Sequence, residues 1–140
     1  MTSNLISHGD SRTDNARWRS IVADLAFWSV VGAIAATLSG PLSDWWRAPH
    51  AVLIAGGVAF VIAGVVLLFG LNRKRPISRS LVRAFSLSNL VVALVAWLAA
   101  SFGWFPLSGP GKWALAAAGG AALALGLWQL STVRRSPHRQ

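Results

Sequence analysis

Four long apolar runs, at 21–39, 51–71, 87–102 (extending upstream to 82) and 113–130, leave this chain few folds to choose from. Each comes close to the roughly 20 residues that a helix rising 1.5 Å per residue needs to cross about 30 Å of hydrocarbon. A water-soluble four-helix bundle keeps a polar stripe on every helix, and none of these runs has one. Composition agrees, since 54% of the 140 residues are hydrophobic and only 12% are charged. The expected fold class is an all-α membrane protein with four transmembrane helices. Residues 1–19 read as a polar N-terminal tail, 20–131 as the membrane domain and 132–140 as a basic C-terminal tail.

The formal net charge of +9 would point to nucleic acid in a soluble protein, but here the charge sits at the ends of the apolar runs. Arg12, Arg17 and Arg19 precede the first run, and Arg134, Arg135 and Arg139 follow the last. Arg73, Lys74, Arg75, Arg79 and Arg83 lie between the second and third, whereas the opposite side has only Arg47 and Lys112. The positive-inside rule then places both termini in the cytoplasm, the alanine- and arginine-rich composition reads as that of a bacterial plasma-membrane protein, and no nucleic-acid partner is expected. Trp45, Trp46, Trp104 and Trp113 fall at the outer interface and Trp18 and Trp128 near the inner one, where indoles prefer to lie. Trp28 and Trp97 lie within spans and require a packing explanation. Ala33-Ile34-Ala35 loosely fits a signal-peptide cleavage site, but the internal repeat argues that the first span is retained.

Pro-Leu-Ser occurs twice, at Pro41-Leu42-Ser43 and Pro106-Leu107-Ser108. At that offset Asp24-Leu25 lies over Asn89-Leu90, and with two residues removed from the outer loop Ala55-Gly56-Gly57 lies over Ala118-Gly119-Gly120. The chain therefore reads as two duplicated helix hairpins, repeat 1 at about 20–75 and repeat 2 at about 82–135. Two such hairpins insert with the same orientation, about a pseudo-two-fold axis along the membrane normal. Ala51, Ala55, Ala59 and Ala63 match Ala114, Ala118, Ala122 and Gly126, and each set lays a small-residue stripe along its helix. Such stripes admit close backbone approach in lipid, so the second and fourth spans are expected to pack against each other or against another subunit. Proline ends a helix interior, so each Pro-Leu-Ser reads as a helix end with a short turn beyond it.

Few residues offer chemistry. Asp24 is the only acid within a span, and an intramembrane carboxylate is a functional candidate by default. It admits two readings: an interfacial acid near a helix start, favoured by the dipole and within reach of Arg17 and Arg19, or a buried polar partner or proton site. In the second, pseudo-symmetry brings the Asn89 amide to Asp24, with Ser86, Ser88 or Arg83 nearby. Arg73, Lys74, Arg75 and Arg79 are positioned to contact anionic lipid headgroups, although topology alone accounts for such a loop. His50 near Asp44 does not supply the three or four ligands of a zinc site, His8 and His138 lie in polar tails, and no nucleophile, phosphate-loop or metalloprotease pattern is present. The absence of cysteine removes thiol chemistry. No enzyme activity and no cofactor are expected.

The stretch holding Asn89-Leu90, Trp97 to Ser101 and Pro106-Leu107 resembles small bacterial four-helix integral membrane proteins. The resemblance covers mainly the second half of the chain and implies a fold rather than an activity. Small multidrug transporters have a similar length but depend on a glutamate in the first helix, and this chain has no glutamate. The leading expectation is an accessory or assembly subunit in a homo-oligomer or larger membrane complex, packed through its small-residue faces. A small homo-oligomeric transporter or channel with Asp24 and Asn89 near its cytoplasmic mouth is the alternative, and a lipid-interacting protein using the basic loop is a third. Polar residues deep in the spans would favour transport, and their near absence ranks the accessory reading first.

Overall fold

The computed structural model describes the backbone of residues 2–135 and the side chains of residues 11–135. Five helices follow in order: α1 (Thr2–Thr37), α2 (Ser39–Trp46), α3 (His50–Arg73), α4 (Arg79–Phe102) and α5 (Gly109–Arg134). Four of them are long and apolar enough to cross a membrane, at Ser11–Thr37, His50–Arg73, Arg79–Phe102 and Gly109–Arg134. The described residues contain no strand.

Two antiparallel pairs make up the molecule, α1 with α3 and α4 with α5, and α1 also packs along α5. The backbones of α3 and α4, and those of α3 and α5, do not approach each other closely. The bundle is therefore open on one side, with α3 on a flank. One consequence concerns the alanine stripes: the second and fourth spans do not pack against each other. Ala51, Ala55, Ala59 and Ala63 are all exposed, while Ala114 and Ala118 are half-buried and Ala122 and Gly126 are buried against α4.

Close packing in lipid depends on small residues, and glycines govern both pairs. A Cβ on Gly32 would come within 2.6 Å of the Gly57 carbonyl oxygen, so α1 and α3 meet backbone to backbone. In the other pair α4 buries Val82, Ser86, Asn89, Ala93, Ala96 and Ala99, alternately three and four residues apart for most of its length, against Gly119, Ala122, Gly126 and Gln129 of α5. Larger apolar residues gather at one end only, where Ile21, Leu25, Leu71, Ile77, Val82 and Val133 form a cluster. That end carries the start of the first span, the loop between α3 and α4 and the end of α5.

The two Pro-Leu-Ser copies do not fold alike. After a break at Leu38 the first lies inside α2, with Pro41 in the first turn, where its missing N–H would have lacked a helical partner anyway. The second lies beyond the α4 stop at Gly103, whose φ of 64° is left-handed, and Ser108 caps α5 by accepting from the Gly111 N–H at 3.3 Å. Ser108 also donates to the Trp45 carbonyl at 2.5 Å, joining α2 to the start of α5. A helix ends shortly before each proline, α1 at Thr37 and α4 at Phe102, but the expected turn follows only in the second copy, since the first lies at the start of α2. The residues read as an N-terminal tail from 2 to 19 likewise continue α1 as helix.

Candidate intramembrane polar site

Asp24 lies well inside α1, which begins at Thr2, and only 3% of its surface is exposed. Asp24 is thus buried far from the N-terminus of α1, whose dipole does not act on it. The structure brings it to Asn89 of α4, whose Nδ2 donates to Asp24 Oδ2 at 2.7 Å. Gln129 of α5 donates its Nε2 to the same oxygen, also at 2.7 Å. Asn89 Nδ2 further reaches Gln129 Oε1 and the Phe85 carbonyl, each at 3.2 Å. Its Oδ1 accepts from Trp28 Nε1 at 3.4 Å. Both amides are oriented by these bonds, and their N–H groups converge on one carboxylate oxygen.

The other oxygen, Asp24 Oδ1, is buried and has no hydrogen-bond partner. Among the described residues no basic side chain pairs with Asp24. Asp24 and Asn89 also form part of the wall of a groove of about 270 Å³, otherwise lined by Trp28, Phe60, Phe85 and Val92 among other residues. The groove exists because α3 and α4 stay apart, and α1 forms its floor. Trp28 stacks on Phe60 across it, with ring centroids 5.8 Å apart.

Ser88 lines the groove, whereas Ser86 turns away and donates to the Gly126 carbonyl at 2.7 Å. Arg83 is exposed. Trp28 and Trp97 have their packing explanation in these bonds, since Trp97 Nε1 donates to the Ala116 carbonyl at 2.9 Å. Sequence reasoning passed over Gln129, which is fully buried. Its signal was available: Gln129 falls on the same helical face as Ala122 and Gly126, and it is the only amide side chain in the fourth apolar run.

The basic loop is partly spoken for. Arg75 donates to Asp14 Oδ2 through Nη2 at 2.7 Å and Nε at 3.1 Å, and lies 5.2 Å from the Trp18 ring centroid. Asp14 Oδ1 accepts from the Ile77 N–H at 2.7 Å, so this carboxylate ties the loop to α1. Arg73 and Lys74 are exposed and Arg79 is half-buried. On the opposite side His50 contacts Ser39 at 3.3 Å rather than Asp44. His138 and Arg139, and the side chain of His8, lie outside the described residues.

Compared with known families, curated proteins and solved structures, the chain shows no match.

Proposed function

We propose that this is a non-enzymatic, multi-pass protein of the bacterial plasma membrane, with both termini cytoplasmic, that works as a small homo-oligomeric transporter for a lipophilic cation. What carries this is Asp24, which lines an apolar groove and whose second, buried carboxylate oxygen has no hydrogen-bond partner. Packing gives no reason for a charge there. A carboxylate deep in a span costs about 2.5–3.5 kcal/mol, and interhelical hydrogen bonds return about 0.6 kcal/mol each. Asparagine at position 24 would accept the same two bonds without that cost. The aromatic walls suit an organic cation, attracted both by the carboxylate and by the faces of Trp28 and Phe60. Three polar side chains from three helices meet at one depth, and intramembrane polar groups of that kind mark solute pathways.

The test is binding of benzylammonium, whose N–H groups match the vacant oxygen, to the full chain in phosphatidylcholine vesicles. Binding to the wild type and its loss in Asp24→Asn is expected. Equal binding to both, or to neither, would remove the proposal. An accessory-subunit role keeps one observation in its favour: α3 has only 11% of its apolar span buried and turns Ala51, Ala55, Ala59 and Ala63 outward. Native mass spectrometry of the protein released from its own membrane separates the two readings. A homo-oligomer fits transport; a defined complex with other chains fits assembly.

A further inference from the structure

Arg12, Ala16 and Arg19 share one face of α1, and Trp128, Ser131, Thr132 and Arg135 share one face at the end of α5. Where these faces meet, a cleft of about 340 Å³ is lined by all of them. Among the described residues none of the three arginines forms an ion pair. Asp14, on α1 two residues from Arg12, has both carboxylate oxygens engaged by Arg75 and the Ile77 N–H. Three arginines thus line one cleft, and among the described residues no acidic side chain lines it.

Its level in the membrane says what would supply that charge. Trp128 is part of the lining and half exposed, as an indole at headgroup depth would be, and the apolar cluster around Ile21 and Val133 lies at the same end of the bundle. One effect works against an anion here, because the C-terminus of a helix carries about half a negative charge. Three full positive charges outweigh it. The hydroxyls do not do the recognising, since Ser131 Oγ donates to the Trp128 carbonyl at 2.6 Å and Thr132 Oγ1 to the Gln129 carbonyl at 2.7 Å. The Ser131 oxygen nevertheless keeps acceptor capacity for a headgroup hydroxyl.

The geometry points to a site for the phosphate group of an anionic membrane lipid, held by Arg12, Arg19 and Arg135 between α1 and α5. It differs from the loop at 73–79, where Arg75 already has a carboxylate, and it stands independently of the Asp24 groove. Guanidinium groups hold phosphate oxygens in bidentate pairs, and basic pockets between spans on the cytoplasmic side are suited to lipid headgroups.

The experiment is native mass spectrometry of the full chain released from vesicles of phosphatidylcholine with phosphatidylglycerol, and separately from phosphatidylcholine vesicles with inorganic phosphate. Retention of phosphatidylglycerol by the wild type is expected, and it should be roughly thirtyfold weaker in the Arg19→Gln/Arg135→Gln double variant. Arg73→Gln/Lys74→Gln should retain the lipid as the wild type does. An independent pair, Arg12→Gln/Arg135→Gln, guards against a folding defect peculiar to the first. Equal loss in the loop variant, retention in both cleft pairs, equal retention of phosphatidylcholine, or an adduct with inorganic phosphate alone would each overturn the assignment to lipid.

Discussion

A Cβ placed on Gly57 would fall on the Gly32 carbonyl oxygen and within 2.9 Å of the Ala36 nitrogen, whereas one on Gly56 would meet nothing within 4 Å. Backbone atoms cannot rotate aside, so Gly57→Ala is expected to separate α1 from α3 and cost on the order of 1–3 kcal/mol. Gly56→Ala should be neutral or stabilising by up to about 1 kcal/mol. Unfolding of the purified variants in detergent measures both, and a Gly57→Ala protein as stable as Gly56→Ala would refute the backbone contact. These neighbours are indistinguishable in the repeat alignment, which matches Ala55-Gly56-Gly57 to Ala118-Gly119-Gly120 without saying which glycine faces the partner. The same limit hid Gln129. Pseudo-symmetry drew attention to Asp24 and Asn89 because they occupy matching places, but the residue matching Gln129 at the second offset is Val66, so the third member of the cluster had no counterpart to reveal it.

At the level of elements, the spans were legible because hydropathy depends on composition alone, and the structure places a helix over each. Helix ends were less so. Thirty-six residues of α1 extend about 54 Å, well beyond the hydrocarbon, because nothing between Thr2 and the first span stops a helix. The polar extension finds its use in Asp14, which holds the loop between α3 and α4 against α1. The ion pair itself, partly exposed, is worth about 0–1 kcal/mol. The Ile77 N–H is the greater stake, since Ile77 is 2% exposed and an orphaned buried donor costs about 1–3 kcal/mol. Asp14→Ala should therefore speed hydrogen exchange at the Ile77 amide. Asp14→Asn, which keeps an acceptor but not the charge, should restore most of the protection. If both variants exchange alike, charge pairing rather than the backbone bond holds the loop.

Taken whole, the molecule is two helix pairs whose mutual contacts are few and of mixed kind. Ser108 and Trp45 join them at one end, Arg17 and the Ile77 carbonyl at the other, and Asp24 with Asn89 and Gln129 between. Hydrocarbon supplies no hydrophobic drive for joining the pairs, so directional bonds carry much of the specificity. A chain divided in the loop at 74–78 and co-expressed as two fragments should thus reassemble and co-purify. Gln129→Leu should weaken that association roughly threefold to tenfold, as expected for one or two interhelical hydrogen bonds. Ser86→Ala should leave it unchanged, because Ser86 bonds to Gly126 within its own pair. Both residues are fully or almost fully buried and both make short bonds, so burial alone predicts equal effects. Loss of association in Ser86→Ala but not in Gln129→Leu would mean that the α4–α5 seam, rather than the Asp24 cluster, sets how the two halves recognise each other.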